Sequence, residues 1–194
     1  MSDTRYPPMV IMGVQGSGKS TIGAALAKRL NIEFIDGDDL HPKANKDKMA
    51  AGIPLDDEDR VPWLKAIGQT IADGRASGRI VIVACSALKR WYRELLRASA
   101  PDLVFVHLSG DKELLADRLA HRDHAFMPTT LLDSQIETLE PLGPWESGIV
   151  ISIEQDPVAI VDEVTRMLMA RAAGRTVTPS PGATITGSID VQPG

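Results

Sequence analysis

Gly13-Val14-Gln15-Gly16-Ser17-Gly18-Lys19-Ser20 is the stretch on which the fold turns. A glycine, four residues and then Gly-Lys-Ser is the spacing of a phosphate-binding loop. The pattern carries weight only between a strand and a helix, and both flanks qualify. Met9-Val10-Ile11-Met12 reads as a buried strand over about 9–13. Beyond the loop, Ile22, Ala25, Leu26 and Leu30 recur at helical spacing over about 19–30.

The residue types supply the chemistry. Glycines let the backbone turn tightly and aim several N–H groups at one anion. The helix that starts near Lys19 adds the positive end of its dipole. In such a loop the lysine reaches the β- and γ-phosphates of ATP, and the hydroxyl at the Ser20 position ligates Mg²⁺. Gly13, Val14, Gln15, Gly16, Ser17, Gly18, Lys19, Ser20 and Thr21 are therefore nucleotide-binding candidates. The bland alternative, a glycine-rich turn with no ligand, does not account for the flanking strand and helix.

The 194 residues suffice for one domain with a sizeable core. A formal net charge of −5 argues against a general nucleic-acid or anionic-membrane surface. The single cysteine, Cys85, excludes an intrachain disulfide framework and fits a reducing compartment, the cytoplasm. No apolar run reaches the ~18 residues of a transmembrane helix.

Further strands are expected at 32–35, 80–84, 103–108 and 148–153. Helices are expected at 42–50, 63–77, along the face of Leu88, Trp91, Tyr92, Leu95 and Leu96, at 111–121, at 130–139, and from Pro157 onward. Pro62 marks the end of a polar loop, and residues 122–128 read as a mobile loop. Alternation of this kind makes an α/β protein, a three-layer sandwich with a five-stranded, mostly parallel sheet. Residues 1–173 form a single domain in this reading. Beyond Ala173 the composition turns to Gly, Pro, Ser and Thr without periodicity, so 174–194 is expected to be a disordered tail.

A phosphate loop alone does not choose between a kinase, a GTPase and an ATP-driven machine. Asn45-Lys46-Asp47-Lys48 has its acid one place too early, and lies too near the N-terminus, to read guanine. His121-Arg122-Asp123 matches a protein-kinase tripeptide, but nothing else of that signature is present. More informative is Asp36-Gly37-Asp38-Asp39, at the end of the second strand. Ligands of open α/β sheets bind at that edge. With Asp36 facing the metal, Asp38 faces an incoming hydroxyl and accepts its proton; the alternative is a solvated acidic turn.

Cations offer weaker signals. Arg118 and Arg122, one helical turn apart, suit stacking on adenine and clamping phosphates, and equally suit a basic helix surface paired with Asp117 and Asp123. Lys89 and Arg90 are positioned to meet an anionic substrate, whereas Arg93 reads as a solvated cation. Arg60 either binds a carboxylate or pairs with the acids around it. His41, His107, His121 and His124 lack the spacing of a metal site.

Several segments together resemble the phosphate-loop gluconokinases, relatives of shikimate and nucleoside-monophosphate kinases. They are Gly13–Thr21, Asp36–Asn45, Lys48-Met49, Gly52–Leu55, Asp59–Leu64, Cys85–Arg93, Phe126-Met127-Pro128, Leu131–Gln135 and Thr138–Leu142. The resemblance spans about 9–170. It implies a P-loop fold of the nucleoside-monophosphate-kinase type, with 122–128 as a lid. It also implies ATP- and Mg²⁺-dependent phosphorylation of D-gluconate at its terminal hydroxyl. Asp38 would hold the acceptor hydroxyl, and Asp36 would reach Mg²⁺ through water. His41, Arg60, Lys89 and Arg90 would hold the sugar acid, Arg118 would stack near adenine and Arg122 would close with the lid. A homodimer is implied in the same way. One departure stands out: the family's His before Phe-Met-Pro is Ala125 here, with His124 one place earlier. Two other readings remain: a kinase for shikimate or another hydroxy acid, and a nucleotide-binding regulatory module without transfer chemistry.

Overall fold

In the computed structural model, which describes residues 6–121 and 129–187, β1 (Met9–Met12) lies in the middle of the sheet. Its four residues are all buried and alternate between two cores. Met9 and Ile11 point to one face, and Val10 and Met12 to the other. Being apolar on both faces is what a central parallel strand requires. The alternation continues in β3 (Val81–Ala84) and β4 (Val104–Ser109), where Ile82 and Val106 join the first core and Val83 and Phe105 the second.

The strand order is β2-β3-β1-β4-β5-β6, with β2 at Glu33–Asp36, β5 at Gly148–Ser152 and β6 at Ala183–Thr186. The first five strands are parallel. Helices α1 (Lys19–Leu30) and α7 (Pro157–Ala172) supply Leu26 and Val164 to the first core. Helices α3 (Asp57–Ala76) and α4 (Arg90–Ser99) supply Ile67 and Leu96 to the second. The remaining helices are α2 (Lys43–Ala50), α5 (Lys112–Ala120) and α6 (Thr129–Thr138). Because β1, β2 and β3 run in parallel, the phosphate loop, the Asp36–Asp39 turn and the segment after Ala84 emerge at one edge. No helix among the described residues is long and apolar enough to cross a membrane.

Three expectations are corrected. The sheet has six strands rather than five, because Ala183–Thr186 pairs antiparallel with β5. The segment leading to it is clasped by α7. Arg166 Nη2 donates to the Thr178 carbonyl at 3.0 Å, and the Ser180 amide donates to Glu163 Oε1 at 2.8 Å. Glu163 also takes two bonds from Arg166. The composition of this region gave no sign that these partners were waiting for it.

Helix α3 begins at Asp57, not at Trp63. Asp56 accepts from the Asp59 amide at 2.8 Å while Asp59 accepts from the Asp56 amide at 3.1 Å, a reciprocal capping box. Three acids in the first turn favour the dipole, and the helix tolerates Pro62.

Arg93 is fully buried rather than solvated. Its guanidinium meets Glu146 at 2.7 and 3.0 Å and donates to the carbonyls of Ala87 and Leu88 at 3.0 and 3.1 Å. Those bonds hold Ala87 at φ 45°, a conformation that costs an L-residue about 1–2 kcal/mol. The Glu146 carbonyl in turn accepts from Thr186 Oγ1 of β6 at 2.7 Å. The ion pair thus ties the segment after β3 to the last strand. The proposed lid, with Arg122, His124 and Ala125, lies outside the described residues.

Arg93→Met leaves Glu146 buried without its partner. It should lower the unfolding free energy by about 3–5 kcal/mol, and adding Glu146→Leu should recover much of the loss; urea titration checks both. A second expectation concerns pH. Arg166 and the Ser180 amide hold Glu163 down at about 2, from 4.5. A depressed carboxylate stabilises above its unfolded pKa and loses that contribution as pH falls through the folded one. The difference in melting temperature between wild type and Glu163→Gln should therefore be largest above pH 4.5 and shrink toward pH 2.

Candidate active site

The phosphate loop is shaped by what surrounds it. Gly13 has φ 144°, and a Cβ there would lie 2.8 Å from both the Leu108 carbonyl oxygen and Ser17 Oγ. Only glycine lets the loop pass so close to β4. Lys19 and Ser20 open α1, so the lysine and the hydroxyl stand at its positive end. Lys19 Nζ donates to the Val14 carbonyl at 3.1 Å and curls over the loop. The Gln15 amide donates to Gln135 Oε1 of α6 at 2.7 Å, so a distant helix touches the tip of the loop.

On one side of the loop lies a cavity of about 180 Å³. Gly16, Ser17, Gly18, Thr21 and Arg118 give it polar walls, and Ile22, Pro157 and Ile160 give it apolar ones. Arg118 Nη2 donates to the Ile153 carbonyl at 2.5 Å, which holds its planar guanidinium beside the slot. A narrow site with apolar walls and a guanidinium plane suits a heteroaromatic base.

On the other side stands the acidic turn, a short 3-10 helix over Gly37–Leu40. Ser20 Oγ donates to Asp36 Oδ2 at 2.8 Å, and the Asp38 amide donates to Asp36 Oδ1 at 3.1 Å. Asp36 is thereby fixed between the loop and Asp38. Two hard oxygen donors, Ser20 and Asp36, lie together beside Lys19. That set suits a magnesium ion completed by phosphate oxygens and water, not an all-protein cage. The Asp38 carboxylate remains open to solvent. The protein packed around it and the nearby Asp36 and Asp39 carboxylates push its pKa up, and Lys19 opposes them only in part. Burial pushes the Cys85 thiol, just past the end of β3, up to about 12, and the charges of Lys19, Asp38 and Arg60 are also felt there.

His41 and Arg60 belong to this half of the site. The His41 amide donates to the Asp38 carbonyl at 3.3 Å, and its ring stacks on Trp63 at 4.1 Å. Burial and the charges of Arg60 and Lys46 press His41 down to about 4. Arg60 Nη1 donates to Tyr92 Oη at 3.1 Å. Tyr92 Oη donates to Asp57, which also receives Lys89 Nζ at 2.7 and 2.9 Å. Arg60, Tyr92, Asp57 and Lys89 thus form one linked group.

Arg90 is not brought to that group. Its Nε bonds Glu94 at 2.8 Å and its guanidinium lies 4.8 Å from the Trp145 ring. Lys89 caps α4 and Arg90 is its first residue, so neighbours in sequence turn to different partners. Sequence reasoning also passed over Asn45, Asp57, Trp63, Tyr92 and Gln135 as contributors. Helical spacing held a signal for two of them: Asn45 is four residues after His41 and Tyr92 three after Lys89. The others are joined to the site only by the fold.

A family model described as an AAA domain matches residues 9–142. The probable gluconokinase of Xenopus tropicalis is 45% identical over 185 residues, covering 85% of this chain and 97% of that protein. The gluconokinase of Gluconobacter oxydans is 44% identical over 162 residues, covering 84% and 91%. Among solved structures, a gluconokinase from Sinorhizobium meliloti superposes with a TM-score of 0.78 at 47% identity, covering 87% of this chain and 94% of that one. Relatedness of this degree over most of both chains shows the family: the chain belongs to the gluconokinases.

Proposed function

We propose that the chain transfers the γ-phosphoryl group of ATP to the terminal hydroxyl of D-gluconate, releasing ADP and 6-phospho-D-gluconate. The observation that carries this reading is Asp38, a carboxylate of raised pKa whose main-chain amide is held by Asp36 and on which the phosphate-loop Lys19 charge acts. Donor and acceptor then approach from opposite sides of Lys19. The loop amides and Lys19 bind the phosphates, and Arg118 bounds the base slot. Asp38 accepts the hydroxyl proton as the hydroxyl oxygen bonds to the γ-phosphorus and the bond to the bridging oxygen of ADP breaks. Ser20 and Asp36 would hold Mg²⁺, which neutralises phosphate charge when bound.

Gluconate is an anion with several hydroxyls, and the acceptor half offers matching groups. Arg60 spends one N–H on Tyr92 and keeps others for a carboxylate. Lys89 is already bonded to Asp57, so it supports Arg60 and Tyr92 more than it supplies an open charge. Arg90, held by Glu94, has no part in this assignment.

ADP release measured over a panel of sugar acids should show turnover with gluconate and little with shikimate. Gluconate-independent release throughout would overturn the reading, and preference for shikimate would move it to another hydroxy acid. Asp38→Asn should keep ATP binding and lose on the order of 10²-fold or more in turnover. Because the Asp38 pKa is raised, the acid limb of kcat/KM should lie above the ordinary carboxylate range of 3.8. The same shift predicts that the ionised form is a burden on the folded state, relieved as pH falls through the folded pKa. Asp38→Asn should therefore melt higher than wild type at neutral pH, as differential scanning calorimetry would read directly.

A further inference from the structure

The acceptor half contains a histidine whose proton can be located. His41 is stacked face to face with Trp63, with 13° between the ring planes. Trp63 Nε1 donates to the Gly37 carbonyl at 2.7 Å, so the surface under the imidazole is anchored to the turn that carries Asp38. The edge of the ring at Nδ1 is met by Asn45 at 3.3 Å.

Which atom of Asn45 makes that contact follows from a third group. The main-chain carbonyl oxygen of Asp59 can only accept, and it lies 2.7 Å from one atom of the Asn45 amide. That atom must be the NH₂. The same nitrogen faces His41 Nδ1, and an amide nitrogen can only donate. Nδ1 is therefore the acceptor, and the proton of the neutral ring resides on Nε2. Burial and the charges of Arg60 and Lys46 keep the ring neutral. Among the described residues Nε2 has no protein partner, so its N–H is left to donate outward.

We propose that Asn45 is a positioning residue that fixes the tautomer of His41, making Nε2–H a dedicated donor to a hydroxyl oxygen of the acceptor beside Asp38. The acceptor's identity rests on the gluconate reading; the tautomer does not. The pairing is specific for an alcohol. An ionised Asp38 only accepts and His41 Nε2–H only donates, whereas a hydroxyl does both. An ammonium in the same place would have nothing to offer His41. The anchoring also explains the burial of Asn45, which joins α2 to the first turn of α3 and sets the ring edge in a single act.

The decisive measurement is a long-range ¹H–¹⁵N correlation spectrum of the histidine rings in the full-length protein, with the His41 signals assigned by their loss in His41→Gln. An Nε2–H ring in wild type is expected, and an Nδ1–H ring would overturn the proposal. Asn45→Asp keeps the size of the side chain but removes its donor. It should move the proton to Nδ1 and leave Nε2 without its hydrogen. KM for gluconate should rise about tenfold, the scale of one lost hydrogen bond, with KM for ATP unchanged. An unchanged tautomer together with an unchanged gluconate KM would overturn it. Should Asn45→Asp not fold, the wild-type spectrum still decides the tautomer. His41→Gln, which retains an N–H donor, should then keep a lower gluconate KM than His41→Leu; equal values would sink the donor role. Absence of gluconate turnover in wild type would defeat the functional reading instead, and the spectrum would decide the tautomer independently.

Discussion

The ends of β2 and β3 pass so closely that a Cβ at residue 37 would stand 2.2 Å from the Ala84 carbonyl oxygen. No side chain fits there, and the rest of the site depends on that contact. It lets the chain turn directly off β2 against the sheet edge, so that Asp36 and Asp38 emerge beside Ser20 and not a residue's width away. Trp63 secures the turn from α3 through its bond to the Gly37 carbonyl. Asp36 secures it from within by accepting the Asp38 amide. Three elements distant in sequence thus converge on one glycine.

Charge is handled differently in the two halves. The scaffold pairs its most buried ions: Arg93 and Glu146 are buried together, each with further bonds to backbone groups. The acceptor half leaves its carboxylates crowded, with Asp36 and Asp39 both disfavouring ionisation of Asp38. Such crowding weakens the folded state and, on the proposed reading, prepares a base, an exchange usual at a reacting centre. The buried pair braces the segment that follows β3. Arg93 bonds the Ala87 and Leu88 carbonyls, and Lys89 follows immediately in the chain.

Much of this was legible in the sequence. The strand, loop and helix around Gly13–Ser20 follow from local pattern, and so do the two-sided apolar strands. What local pattern could not show depended on partners far along the chain. Arg93 looks like any surface cation until Glu146, 53 residues away, is known to meet it. Ala183–Thr186 is a short, half-polar run that becomes a strand only because β5 offers an open edge. Asp56 and Asp59 fall in the stretch read as a polar loop, yet their reciprocal bonds start α3 a turn and a half before the apolar periodicity does. Asn45 falls in the same class, since its role needs both a helical neighbour and a carbonyl from α3.

The last strand has a consequence for the behaviour of the molecule in a crowded solution. β6 contributes none of the groups assigned to phosphoryl transfer, but its antiparallel pairing covers the outer hydrogen-bonding row of β5. Gly148–Ser152 is an apolar, β-branched segment, the kind that recruits other chains when its edge is bare. A chain ending near Ala173 would keep every proposed site residue and expose that row. Ala183–Thr186, expected as part of a disordered tail, therefore covers the edge through which sheets self-associate, and its worth would show in shelf life and recovery from denaturation before it showed in turnover.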